Sequence, residues 1–514
     1  MQNNCRRGAI LCMNRIINIT VVVIISVIVI AIGIGTSIYS KNTIPSAKSD
    51  IDFNIDMSSW KYDKDNNVFY QIGIKYCENS SKSENETMSI YVPGEYLEGT
   101  KNDDETYTCI INEKAEKSGY KSSEAPVIIP IDTNINIAQK PHKEYNYGNI
   151  SSYIDLGYIC IWAGTKGMDK DNTNYSTEEY NNSIIDAITD LKAIVTYYRF
   201  NGNALPGDTE KIISFGINEG ATKSAVFGAS GDSDLYYSRL VSIGAVTETK
   251  EGKSISNSVN GTMCYGPVMN MELEENSYAW NIGQYIEKTD VEEPSEIETR
   301  ATEFAEYIND MKLKGEDGTL LYLNETKDGI YTKGTYYNYI LNDVEKALND
   351  FLHNTKFPYT NKNNITYGTA LDYIKSLNKN GEWITYDKNT NNVKIKSLKD
   401  FALNCKNIKN ETFNVASSNA YNPLYFLSSK YKGYGSSYIS RYWNLYMEVD
   451  NDYRDFSSEE ILKIVLEKNE DVRKVKYNIL WGKEYSNEEK TKMAVDDLKL
   501  WIESCGITTN EKIK

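Results

Sequence analysis

Between residues 60 and 240 the hydrophobic rhythm of the chain changes repeatedly, and each change marks an element. "NVFYQIGIKYC" (67–77) and "TMSIYVP" (87–93) alternate apolar and polar positions, the period of half-buried antiparallel strands. "APVIIPID" (125–132) is continuously apolar, the pattern of a strand covered on both faces. "SSYIDLGYICIWAG" (151–164) reads as a short helix leading into a second buried strand, Tyr158 to Trp162. The period then lengthens to about 3.6: Ile184, Ile185, Ile188, Leu191, Ile194, Val195 and Tyr198 share one face of a long helix. Pro206-Gly207-Asp208 supplies a turn, "KIISFG" (211–216) the next strand and "GATKSAVFGAS" (220–230) the next helix. This alternation predicts an α/β protein with a mostly parallel central sheet and helices on both faces. Crossovers should be right-handed, with sites at the carboxyl ends of the strands.

The rhythm breaks after residue 289. "SEIETRATEFAEYINDMKLKG" (295–315) and "YYNYILNDVEKALNDFLHNTKFPY" (336–359) are helical, the second with Val344, Leu348, Phe351 and Leu352 on one face. "GEWITYDKNTNNVKIKSLKDFALNC" (381–405) reads as a small hairpin followed by a helix. The sheet pattern returns with a strand from Val475 to Trp481 and a closing helix carrying Ala494, Leu498 and Trp501 on one side. The expected organisation is a first core segment (61–289), a mainly helical lid insertion (290–415) and a last core segment (416–514).

The N-terminus differs in kind. Arg6, Arg7 and Arg15 precede an uncharged, strongly apolar run from Ile16, and no charge returns until Lys41. That length spans a ~30 Å hydrocarbon core as a helix. The positive flank predicts a cytosolic tail (1–15), a single-pass transmembrane anchor (16–38), a polar linker (39–60) and an extracytoplasmic C-terminal domain. A cleaved signal peptide, giving a secreted form, is the alternative, but its apolar core is normally shorter than this run. The remainder carries the composition of a packed domain, 40% hydrophobic and 12% aromatic. A formal charge of −16 without basic clusters argues against nucleic acid as a partner. None of the 8 cysteines forms a CxxC pair, so neither a zinc ribbon nor a thioredoxin-type site is expected, and no metal or cofactor is implied. The six cysteines beyond the anchor leave room for one disulfide.

"IISFGINEGATKS" (212–224) bears most directly on chemistry. A buried strand runs into Gly216-Ile217-Asn218-Glu219-Gly220 and then a helix: the outline of a G-x-S-x-G nucleophile elbow with Asn in place of Ser. With this elbow, "SIYVPGEYL" (89–97), "AGTKGMD" (163–169), "DLKAIVTYYRFN" (190–201), "NGTMCYGPVMN" (260–270), "AYNPLYFL" (420–427), "SSYISRYW" (436–443) and "VKYNILWGKEYSNEEK" (475–490) stand in the order found in a known family. The chain resembles the bacterial tannase and feruloyl-esterase-like α/β-hydrolases over roughly residues 85–505.

The resemblance implies an α/β-hydrolase fold and a Ser–Asp/Glu–His triad in that chain order. It also implies where the triad has changed. The nucleophile position is Asn218, which has no hydroxyl to acylate. The family's W-G-x-x-H pattern reads Trp481-Gly482-Lys483-Glu484-Tyr485, so the base position is Tyr485, a poor base near neutral pH. The acid position is Asp450, with Asp452 as the alternative. Oxyanion or binding contacts fall on Glu219 and on Asn134 and Ile135, where the family often has a glycine pair.

Other candidates read as ordinary structure. His142 lies in a loop after the 125–132 strand and reads as a solvated loop residue, and His353 as a surface or packing residue of a lid helix. Ser214 and Ser224 flank the elbow without occupying its turn, and Cys264 reads as a small buried residue. Asp232 and Asp234 read as a polar turn rather than metal ligands, and the Tyr pairs at 236–237 and 336–337 as core or surface. The functional expectation is a catalytically inactive α/β-hydrolase-like protein that binds an aromatic ester, a glycan or a partner protein. An active ester hydrolase with a non-standard site, and a structural envelope protein, are the competing readings.

Overall fold

The computed structural model describes residues 52–79, 85–171, 174–217, 220–267, 271–281, 283–285, 294–326, 331–361, 364–404, 419–448, 457–481 and 487–506. The expected anchor at 16–38 lies outside them. Among the described residues no helix is long and apolar enough to cross a membrane.

Nine strands form one sheet: β1 (Lys61–Asp63), β2 (Val68–Lys75), β3 (Thr87–Pro93), β4 (Val127–Ile131), β5 (Ile159–Ala163), β6 (Ile212–Gly216), β7 (Gly261–Tyr265), β8 (Tyr442–Glu448) and β9 (Lys474–Leu480). Their spatial order is β1-β2-β3-β5-β4-β6-β7-β8-β9. The pairs from β5 to β9 are all parallel, and β1, β2 and β3 add an antiparallel edge. The alternating segments became the antiparallel edge and the continuously apolar ones the parallel centre, as their periods require. Every residue of β4, β6 and β7 is buried.

Helices cover both faces. On one lie α1 (Thr177–Phe200), α2 (Ala221–Ala229) and α3 (Asp234–Ser242). On the other lie the turn of helix Ser151–Ile154 and the closing helix α10 (Asn487–Ser504). Alternate residues of β6 show the two directions: Ser214 bonds Ser224 of α2, whereas Phe215 meets the ring of Tyr153 edge-on. In β7, Thr262 packs under Gly228 of α2, and Gly261 leaves room for Trp501 of α10.

The insertion runs between β7 and β8. It contains α4 (Met271–Asn281), α5 (Pro294–Met311), α6 (Thr335–Asn354), α7 (Ala370–Leu377), α8 (Leu398–Asn404) and two small hairpins. The face predicted for α6 is the buried one: Val344, Leu348, Phe351 and Leu352 all lie inside. The insertion is fastened to the core through α9 (Ser457–Glu467), the helix between β8 and β9. Tyr336 donates to Ser457 O at 2.7 Å, the hydroxyls of Ser277 and Ser457 are 2.6 Å apart, and Lys463 Nζ lies 2.8 Å from Asp343 Oδ2. Glu460, fully buried beside Lys463, has its carboxyl pushed up to about 8 by desolvation. Among the described residues there is no disulfide: Cys77, Cys109, Cys160, Cys264 and Cys505 are free, and Cys405 lies outside them.

Helix α1 also buries a lysine within its apolar face. Lys192 Nζ donates to Ser230 O at 2.6 Å and Asn257 Oδ1 at 3.0 Å, with the Tyr236 ring 4.8 Å away. Desolvation brings its pKa down to about 7, against 10.5 for the ordinary side chain. Between those values the unfolded chain holds a proton that the folded chain does not, so stability gains with rising pH and loses it as pH falls through about 7. Lys192→Met removes this dependence. The wild-type-minus-variant difference in unfolding free energy should therefore rise by about 1–2 kcal/mol from about pH 7 to about pH 9. Urea unfolding at the two pH values reads it, and a difference that does not move with pH contradicts the assignment.

Candidate functional site

The chain moves to one side of β4 to make β5 and to the other side to make β6, so the sheet reverses its winding at β4. In parallel sheets that reversal opens a crevice at the carboxyl ends of the strands. The elbow stands there. β6 ends at Gly216 and α2 begins at Ala221. Ile217 N donates to Ile131 O at 3.2 Å, and Gly220 N closes a turn onto Ile217 O at 2.9 Å. A Cβ on Gly216 would collide with the Gly220 carbonyl and stand 2.6 Å from Ser224 Cβ. One on Gly220 would collide with the Ile131 carbonyl, 2.5 Å from its carbon. Both glycines are required by close backbone approach. The two glycines of the sequence spacing thus stand where β6 gives way to α2, each against backbone.

The three expected triad positions, Asn218, Asp450 and Tyr485, lie outside the described residues, as do Glu219 and Asp452. The strands that precede them, β6, β8 and β9, are parallel and end at the same edge. Trp481, which opens the segment to Tyr485, is buried and donates to Tyr373 Oη of α7 at 3.1 Å, with Phe401 of α8 packed against it. The insertion thus grips the root of that segment.

The loop after β4 has its own bonding. Ile135 N donates to the Asn134 side chain at 2.7 Å, so this N–H is satisfied within the loop. Asp132 N donates to Gln139 Oε1 at 2.9 Å, and Gln139 Nε2 reaches back to Pro130 O and Ala163 O at the ends of β4 and β5. Lys223 of α2, fully buried, donates to Thr133 Oγ1 and Ile137 O, both at 2.6 Å. A parallel bridge from Ile137 to Met168 joins this loop to the one after β5. That second loop rests on a buried charge cluster: Lys166 Nζ is 2.7 Å from Glu86, and Lys166 N donates to Asp190 Oδ2 at 2.6 Å. Burial raises the Asp190 carboxyl to about 7.

No alternative nucleophile–base pair forms among the described residues. Ser214, Ser224, Thr262 and Ser440 make a buried hydroxyl chain ending on the carbonyls of Met263 and Val259. Cys264 is buried, and desolvation pushes its thiol far up. His142 is not a solvated loop residue: its ring stacks on Trp162 at 4.3 Å, Nδ1 lies 2.7 Å from Tyr91 Oη, and burial lowers its pKa. His353 is exposed in the last turn of α6. Asp232 accepts from Ser256 and from Asn257 N, closing a polar turn, and Asp234 lies in the first turn of α3. Tyr336 and Tyr236 are buried, and Tyr237 is exposed. Among the described residues no group of three or more His, Cys, Asp or Glu could hold a metal ion.

No family model matches the chain, and no curated protein matches it by sequence. Solved structures do. The tannin acyl hydrolase of Lactobacillus plantarum aligns with a TM-score of 0.58 at 21% identity, over 86% of this chain and 94% of its own. The tannase of Fusobacterium nucleatum gives 0.58 and 21% over 86% of this chain and 95% of its own. The chain has the tannase fold. A complex of tannin acyl hydrolase with ethyl gallate aligns with a TM-score of 0.56 at 20% identity, over 84% of this chain.

Within the tannase fold, three residues that shape this site carry no sequence signal. Lys223 and Gln139 are polar residues with no local sign of burial, and Tyr373 sits 108 residues from its partner Trp481. For the elbow itself, Gly220→Ala should lower stability by about 1–3 kcal/mol, because the added methyl meets backbone that cannot move aside. Gly368→Ala, an exposed position without a positive φ where a Cβ would meet only the carboxylate end of the Asp372 side chain at 3.3 Å, is the control for a lost glycine. Thermal unfolding of the two variants checks this. Equal transitions would mean that the approach at Gly220 is not tight.

Proposed function

We propose that this protein is a membrane-anchored, extracytoplasmic tannase-fold protein that binds an aromatic ester without hydrolysing it. One observation carries the reading. The elbow framework is intact at Gly216 and Gly220, while the chain places Asn at 218 and Tyr at 485. Without the Ser hydroxyl no acyl-enzyme forms, and without the His no group near neutral pH takes the proton. A triad works as a unit, so either loss removes most of the rate and the second adds little. The aromatic-ester class follows from the fold neighbour solved with ethyl gallate. Anchoring rests on the uncharged run from Ile16 behind three arginines.

The test uses the full chain in detergent with ethyl gallate, reading binding by calorimetry and hydrolysis by released gallate. The natural chain should bind and not turn over. Asn218→Ser/Tyr485→His should raise the rate by about 10⁴-fold or more. Turnover by the natural chain at a rate comparable to that variant, or the absence of binding, overturns the proposal. The anchor is tested separately: the full chain should stay in the membrane pellet after alkaline extraction, and deletion of 16–38 should release it. Extraction of the full chain would show that no helix spans the bilayer.

A further inference from the structure

The buried lysine of α1 faces a carboxamide that it can attack. Lys192 Nζ stands 3.0 Å from Oδ1 of Asn257, in the segment that leads into β7. The amide carbon lies one C=O bond beyond that oxygen, so nitrogen and carbon are at most about 4.2 Å apart. Lys192 is fully buried and Asn257 is 7% exposed, and the rings of Phe227 and Tyr236 flank the amine at 5.7 and 4.8 Å. These walls hold back water, the competing nucleophile. They also favour the neutral amine, which is the nucleophilic form. With its pKa brought down to about 7, a large share of the amine is neutral near pH 7.

Asp232 prepares the amide. Its backbone N donates to the same Asn257 Oδ1 at 2.9 Å, polarising the carbonyl and standing where attack on the carbon puts negative charge. Its carboxylate accepts from Asn257 N at 2.6 Å and from Ser256 Oγ at 2.6 Å. That carboxylate is thus held beside the asparagine, and its charge acts on Lys192. Each of its oxygens keeps a lone pair with which to take up a proton. An amine, an amide with a polarised carbonyl and a carboxylate meet here out of water.

We propose that Lys192 and Asn257 join in an intramolecular isopeptide bond. Nζ attacks Cγ of Asn257, the Nζ–Cγ bond forms and the Cγ–Nδ2 bond breaks. One proton passes from Nζ to Nδ2, carried by the Asp232 carboxylate, and Nδ2 leaves as ammonia. The reaction consumes no oxidant and no co-reactant. The covalent loop that it closes runs from α1 through β6, the two elbow glycines, α2 and α3 to the segment before β7, so the bond locks the framework of the elbow. It forms whether or not the elbow binds or hydrolyses an ester.

Mass spectrometry of the full chain in detergent tests this. Digestion of the natural chain should yield a branched peptide joining Lys192 to Asn257, and the intact mass should be lower by about 17 Da, the mass of ammonia. Ring closure at an Asn-Gly pair such as Asn201-Gly202 loses the same mass but joins no peptides, so the branched peptide decides. Lys192→Met should carry no such branch. Asp232→Asn keeps the backbone N–H and suits the φ of +53° at this position, and should form the bond at least about tenfold more slowly. Free Lys192 and Asn257 peptides from the natural chain overturn the proposal, even where neither variant folds. A folded Asp232→Asn chain that links as fast as the natural one overturns the proton transfer assigned to Asp232. A linked nitrogen no longer titrates, so the urea comparison of Lys192 with Met is made in the unlinked Asp232→Asn background.

Discussion

The backbone of Gly220 lies against the carbonyl of Ile131, and Gly216 lies against the backbone of Gly220 and the side chain of Ser224. Three segments, the end of β4, the end of β6 and the start of α2, meet there with no space for a methyl group. This contact sets where α2 begins. It also fixes where Lys223 of α2 reaches the loop after β4. That loop is bridged to the one after β5, whose backbone rests on the buried Asp190 carboxyl. The packing at Gly216 and Gly220 is required by the fold itself, whatever residue stands at 218.

A second set of contacts works from above. The insertion holds the core on α9 through Tyr336, Ser277 and Asp343, and on Trp481 through Tyr373 and Phe401. Both points adjoin segments that carry expected triad positions, 450 before α9 and 485 after Trp481.

Much of the fold was legible because burial imposes a period. β4 and β6 are covered on both faces and so are apolar throughout; α1 and α6 pack along one stripe and so repeat at 3.6. The elbow was legible because close backbone approach demands glycine at fixed spacing. Contacts made by long polar side chains were not. Lys192 and Lys223 look like solvated helix positions, yet both are buried, because each ammonium is carried to backbone carbonyls and side-chain oxygens by a flexible stem. His142 looked like a loop residue because nothing local announces a stack on Trp162, 20 positions away on β5. The Trp481–Tyr373 bond depends on how the insertion folds back, which periodicity does not encode.

The central claim is that the elbow scaffold persists without a nucleophile. The most direct measurement is the intact mass of the full chain after incubation with excess ethyl gallate and rapid acid quench, beside the Asn218→Ser/Tyr485→His variant. The account predicts that the incubation leaves the mass of the natural chain unchanged and puts a galloyl adduct on the variant. A galloyl adduct on any residue of the natural chain would contradict it, and peptide mapping would then locate the nucleophile.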